Sequence, residues 1–345
     1  MHQGRDLKEL LGEISFMSEN QKDYVVSTEL MSFNPESEKL VVEGLGEFTP
    51  NSVAHDQMAD KMGIPRKYYN RMLAESPELL AENLNHWFVH DKSKKMLRTL
   101  PDTCRAFLSD RFFAIDNAVV MAFAINRLID AGAEVKSCEL TEKRLYIQAI
   151  FPFIADNISD GDIVNAGICI SNSDVGHGSC KIEPLIYRLV CSNGMISKVA
   201  LRKYHVGSVL ESDDAITEII TDKTKELKIQ SIISEIGDVI DYSLDDKFFQ
   251  ENIDNLKAAK DRKINAKQIE PSVKEVSSRF AFVKHEAEEL LHRLIEGQDL
   301  SQYGMANAIT SMANDVGNYD RAVDYERVGG AVAFMDDKEW STIAN

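Results

Sequence analysis

Apolar and polar positions along the chain fall into three successive regimes. Over residues 1–50 the runs DYVVSTELMSF and KLVVEGLGEF alternate among Asn, Pro, Glu and Gly, which predicts strands and turns with little helix. From Thr49 the period lengthens. Pro50 and Asn51 precede the amphipathic VAHDQMADKMG, Gly63 ends it, and Pro65 opens a second helix, RKYYNRMLAE. Ser76 and Pro77 start a third, in which Leu79, Leu80, Leu84 and Trp87 recur at helical spacing. Between Lys92 and Phe113 that period is lost, which predicts two short strands turned at Pro101 and Asp102.

Asp116 and Asn117 can cap AVVMAFAINRLIDAG, a helix apolar over most of its surface and therefore expected against a sheet. EVKSCEL and KRLYIQAIFPF predict a hairpin whose second strand sets Leu145, Ile147 and Ala149 against Tyr146 and Gln148. After the acidic turn ADNISDGD, the stretch DIVNAGICISNSDVGHGSCKIEPLIYRLVCSNGMI alternates strand-like runs with Gly, Ser and Asn. Isoleucine and leucine spacing then predicts a long helix from Ala215 to Leu244, followed by helices over 249–262, 271–297 and from Ser301. No repeat at a fixed period is found. The expected architecture is α+β, a mixed and largely antiparallel sheet packed with helices plus a helical C-terminal region. Its divisions are an N-terminal β section (1–50), an α+β core (51–210) and a mainly helical part (211–345).

Composition narrows the class. With 345 residues, 44% hydrophobic and 28% charged, the chain can bury a sizeable core and is neither disordered nor collagen-like. Its 39 Lys and Arg face 56 Asp and Glu, a net charge of −17 that excludes a histone-like coat for duplex DNA. A polyanion must therefore meet a local patch. The 5 cysteines are an odd number, none close in sequence, and no apolar run is long enough for a signal peptide or a span. These features predict a cytoplasmic chain with no membrane partner.

Two basic segments stand out from the acidic background. Residues 92–111 carry Lys92, Lys94, Lys95, Arg98, Arg105 and Arg111 against Asp102 and Asp110, a local +4 interleaved with Leu97 and Phe107. Residues 181–205 carry Lys181, Arg188, Lys198, Arg202 and Lys203 against Glu183, again +4. If both lined one groove, rings would stack on bases while cations followed phosphates, the chemistry of single-strand binding. The plain alternative is the solvated face of a charged strand. Arg188 in a half-buried strand requires either a partner carboxylate or a bound anion.

Ser173, Gly176, His177 and Gly178 fit an anion nest or, more simply, a hairpin turn. Ser192, Asn193 and Gly194 predict a tight turn with a left-handed glycine. Cys169, Cys180 and Cys191 with His177 lack the spacing of zinc ribbons, and buried free thiols account for them. Asp110 with Asp116, and Asp160 with Asp162, are explained by turn and cap chemistry. No metal, cofactor or catalytic set is predicted, which points away from an enzyme.

The runs MGIPRKYYNRMLAESPELLAENLNHW, RTLPDTCRAFLSDRF with IDN, ISNSDVGHGSCKIEPLIYRLVCSNGM, and NAITSMANDVGNYDRA with ERVGG together form a recognisable set. The chain resembles the phage/plasmid-like family catalogued as domain of unknown function 932. That resemblance implies a host-cytoplasmic setting in a mobile element and, by analogy, a part in recombination, strand annealing or replication. The first expected function is a non-enzymatic DNA-metabolism protein holding single-stranded nucleic acid through Lys94, Lys95, Arg98, Arg105, Phe107, Arg111, Arg188, Arg202 and Lys203. The second is an acidic factor that redirects a host protein, as a monomer or a homo-oligomer. The third is a metal-dependent nuclease or hydrolase using Asp110, Asp116 or His177.

Overall fold

The computed structural model describes residues 4–190, 193–197 and 222–344. The fold is α+β, with two sheets. Asp6 caps the first helix, α1 (Leu7–Asn20), by accepting from the amides of Lys8 and Glu9, and Leu10 and Ile14 are its buried positions. This corrects the expectation of little helix before residue 50. The cap and the four-residue apolar spacing were both in the sequence, but the interspersed acids and bases disguised them.

Strands β1 (Lys22–Ser27), β2 (Met31–Asn34), β3 (Lys39–Val42), β4 (Gly46–Pro50), β5 (Lys94–Leu100) and β6 (Thr103–Ser109) form one sheet, in the order β1-β5-β6-β4-β3-β2. Only β4 and β6 run parallel. Helices α2 (Ser52–Lys61), α3 (Arg66–Glu75) and α4 (Pro77–Asp91) close its core, α2 on β6 and α4 on β2. In α4 the buried positions are Leu80, Ala81, Leu84 and Phe88, while Leu79 and Trp87 face out. The inward stripe is thus rotated by one residue from the sequence expectation.

The second sheet is an antiparallel meander, β7 (Glu134–Leu140), β8 (Leu145–Ser159), β9 (Asp162–Asn172), β10 (Lys181–Arg188) and β11 (Asn193–Ile196). The core expected over 51–210 is therefore divided between two sheets with separate clusters of buried residues. On one face Leu145, Ile147, Ile168 and Ile170 share a core with α5 (Asn117–Asp130), α6 (Asp222–Ser243) and α7 (Asp246–Asp261). The remaining helices are α8 (Ile269–Arg279), α9 (Lys284–Glu296), α10 (Gln302–Ser311), α11 (Tyr319–Ala333) and α12 (Asp337–Ala344). The single helix expected over 271–297 is two, broken near Ala281, whose φ is +53°.

The opposite face of this sheet looks half-exposed in sequence, yet it is covered by α11. Tyr146, Gln148, Cys169, Ser171 and Glu183 are all buried there. The ERVGG run explains the close fit. A Cβ on Gly330 would collide with the Ile196 carbonyl, and one on Gly329 with Thr310, so two glycines let α11 approach β11 and α10.

This buried seam holds Glu326, which is 1% exposed and accepts from the Gln148 amide while its Oε1 has no partner. Burial pushes its carboxyl up to about 7, against the lowering pull of Gln148 and Arg327. Its folded value lies above its unfolded one, so its stabilising share is whole below about pH 4.5 and is lost as pH rises through 7. Glu326→Gln is therefore expected to gain about 3 kcal/mol over the native chain at pH 8 and little at pH 4. Urea melts at the two pH values measure this; equal gains at both would show that folding leaves the Glu326 pKa unshifted.

Candidate nucleic-acid interface

Alternation along β5 and β6 brings Arg98 and Arg105 to the boundary between the two sheets rather than to solvent. Arg98 is 1% exposed. Its Nε donates to Asp23 at 2.9 Å, its Nη1 to the Asp174 carbonyl at 2.7 Å, and its Nη2 to the Asp116 carboxylate. Arg105 donates to both oxygens of Asp174 at 3.2 Å and to Gln21. Burial alone would weaken the Arg98 cation, but Asp116, Asp23 and Asp174 outweigh it and hold its pKa above the usual value. The two arginines form a latch across β1, the start of α5 and the loop after β9. A cavity of about 200 Å³ beside it is lined by Gln21, Asp23, Asp116, Asn117 and Asp174.

The other members of the first basic segment scatter. Phe107 is fully buried against Phe88, with ring centroids 6.1 Å apart. Lys95 pairs with Asp91 at 3.1 Å, Lys94 is exposed at the start of β5, and Arg111 is exposed in the turn beyond β6. In the second segment Arg188 ends β10 and pairs with Asp162, with its guanidinium 5.8 Å from the Tyr303 ring. Tyr303 donates to the same carboxylate at 3.1 Å. Ser192, Arg202 and Lys203 lie outside the described residues. Arg98, Arg105, Phe107 and Arg188 therefore do not line an open trough. A charged residue in an alternating strand meets solvent or a distant carboxylate with equal ease, and here carboxylates prevail.

The loop joining β9 to β10 is a hairpin connection, with Gly176 at φ +82° and Gly178 at φ +129°. Ser173 Oγ accepts from the His177 amide at 2.8 Å, and the His177 carbonyl accepts from Arg144. Burial, with Lys143 and Arg144 nearby, lowers the His177 pKa. The loop's clearest task is to deliver Asp174 to the arginines. Asn193 and Gly194 are not in a left-handed turn: both belong to β11, where Gly194 pairs with Tyr187 and the Asn193 amide donates to Thr310. A Cβ there would lie 2.7 Å from the Cδ1 of Leu185, so a side chain at this position would have to displace that leucine.

Among the described residues no cluster of His, Cys, Asp and Glu has a metal-binding arrangement. Cys169 and Cys180 are buried in different clusters, and Cys191 lies outside the described residues. Burial raises both thiols, Cys180 to about 12, which suits small apolar side chains rather than nucleophiles or ligands. No described helix is long and apolar enough to cross a membrane.

A cluster of outward cations lies elsewhere, on α3 and the end of α2. Four cations, Lys61, Arg66, Lys67 and Arg71, face one carboxylate between Lys61 and Glu75. Tyr69 and Met72 turn inward at helical spacing, which leaves Arg66, Lys67, Tyr68, Asn70 and Arg71 on the exposed side. Arg66 pairs with Asp56 and donates to Asn70 at 3.2 Å, and Arg71 pairs with Glu75 at 2.9 Å. The Arg71–Glu75 link is at the surface, where such pairs are worth about 0–1 kcal/mol and exchange readily, whereas Asp56 is half-buried under the exposed Arg66. Nearby, Trp87 is 45% exposed and borders a notch of about 180 Å³ with Lys61, Met62, His90 and Asp91. The sequence predicts α3 as a helix but not as a site. The signal was its sidedness, which a charge count along the chain averages with Asp56 and Asp60.

The family model described as Domain of unknown function (DUF932) matches residues 106–331, from within β6 to within α11. No curated protein and no solved structure matches the chain.

Proposed function

The chain belongs to the family described as Domain of unknown function (DUF932), and we propose that this member is a nucleic-acid-binding protein that acts by holding its ligand. One observation carries the reading. The acidic body holds Arg98, Arg105 and Arg188 largely buried against its own carboxylates, whereas α3 turns three cations, a tyrosine and an asparagine outward together, two of the cations in pairs with their own side chains exposed. Guanidinium, ammonium, phenol and amide groups are the donors that meet phosphate oxygens and base edges. The single-strand preference expected of a ring-lined trough has lost the residues that motivated it. The proposal is therefore for nucleic acid as a class.

Its test is anisotropy of labelled oligonucleotides, single- and double-stranded, at about 50 and about 200 mM salt. Binding is expected at low salt, and three phosphate contacts would cost roughly fortyfold in affinity for the duplex and roughly twentyfold for the single strand across that interval. If neither oligonucleotide binds at low salt, the proposal is wrong. Capture of a stoichiometric host protein in its place would favour the acidic interaction factor.

A further inference from the structure

We infer that α2 and α3 form a helix–turn–helix unit whose second helix reads duplex DNA in the major groove. This rests on the nucleic-acid reading above and names its ligand. The first support is the spacing of buried residues. Met58, Ala59, Met62, Ile64, Tyr69 and Met72 are each at most 7% exposed, with Gly63 between the helices. Such a unit needs a small residue where its helices approach, a glycine at the turn and apolar anchors on the inner face of the second helix. Ala59, Gly63, and Tyr69 with Met72 fill those three requirements.

The turn itself is closed by hydrogen bonds of a defined kind. The Ile64 amide donates to the Ala59 carbonyl at 2.9 Å and the Gly63 amide to Asp60 at 3.1 Å, the paired bonds of a Schellman motif. Gly63 sits at φ +66°, the left-handed region that this motif requires of its glycine. Pro65 then accepts from the amides of Tyr68 and Tyr69, both at 2.9 Å, and starts α3 without a break. Across the joint, His55 Nδ1 lies 2.8 Å from the Tyr69 hydroxyl, and burial beside Arg66 holds the imidazole pKa down at about 4. The neutral ring can keep that contact at physiological pH. Because α2 is seated on β6, α3 is presented on a rigid support.

Shape decides strandedness. A helix about 10–12 Å across matches a major groove about 12 Å wide. Single strands instead call for a concave path lined by rings, and α3 is convex. Arg66, Lys67 and Asn70 lie in its first half, where a recognition helix meets base edges. Asn70 offers the paired donor and acceptor that suit adenine, and Arg66 suits guanine once DNA displaces Asp56. Lys61 and Arg71 flank them as phosphate contacts. The chain as a whole carries a net −17, so outside this basic projection its surface repels DNA and confines contact to α3.

The test uses the full chain, a labelled pool of random duplexes and the matching single strands. Duplex is expected to bind at least about tenfold more tightly, and the pool to enrich a short motif. Lys67→Ala with Arg71→Ala should lower duplex affinity at least tenfold while thermal melting stays unchanged, since both side chains are exposed. Asn70→Ala should relax the enriched motif at one position by roughly tenfold, with the salt dependence retained. Equal or tighter binding to single strands would overturn the inference and leave the nucleic-acid reading standing. Duplex binding indifferent to all three substitutions would overturn the role of α3, and absence of binding to either ligand would end both readings.

Discussion

Arg98→Met is expected to destabilise the protein by about 3–5 kcal/mol, the range for breaking a buried ion pair by removing one partner. The side chain is 1% exposed and holds Asp23, Asp116 and the Asp174 backbone together. After the substitution Asp23 and Asp116 can turn towards water, because their side chains are 37% and 50% exposed. Asp174, at 6%, cannot, and is left to Arg105 alone. Arg98→Lys should recover only part of the loss, since one ammonium cannot reach three partners in the plane that a guanidinium spans. Urea denaturation followed by far-ultraviolet circular dichroism measures both variants. A loss below about 1 kcal/mol for Arg98→Met would show that the latch is not a structural element.

A second large effect is expected where α11 covers the meander. Arg327 on α11 grips Glu183 on β10 through Nε at 3.1 Å to both carboxylate oxygens and through Nη2 at 2.6 Å, and also donates to Ser171 at 3.1 Å. The Glu183 side chain is 1% exposed. Arg327→Met leaves that carboxylate buried without its cation, again at a cost of about 3–5 kcal/mol. A stranded carboxyl escapes the cost by taking up a proton. The variant should therefore regain stability relative to the native chain as pH falls, and the double change Arg327→Met with Glu183→Gln should recover most of the loss at neutral pH. If the double variant is as unstable as the single one, the role of Arg327 is packing rather than charge.

Both predictions fall on residues that the sequence presents as ordinary members of charged strands and helices. In the run KKMLRTL, Arg98 occupies the same alternation whether it ends in water or against Asp174, which lies 76 residues further on. The sum of charge from Lys92 to Arg111 was correct as arithmetic. As a description of a surface it failed, because burial removed Arg98 and Arg105 and pairing with Asp91 engaged Lys95. The reverse happened at α3, where a short helix between Asp60 and Glu75 separates its cations from its apolar residues by turning 100° per residue.

What the residues determined by themselves is the set of local elements. Pro101 and Asp102 turn β5 into β6, Asp116 precedes α5, the β7–β8 hairpin follows its alternation, and Gly63 with Pro65 separates α2 from α3. These features depend on backbone conformations and periods written within a few neighbouring residues. The division into two sheets, the covering of Tyr146 and Gln148 by α11, and the choice of carboxylate for each arginine were decided only by tertiary structure. Each depends on which segments meet in space, as the bonds from Arg98 to Asp174, 76 positions apart, and from Gln148 to Glu326, 178 apart, illustrate. Desolvation and ion pairing act through space, so a charge acquires its meaning only once its neighbours are fixed.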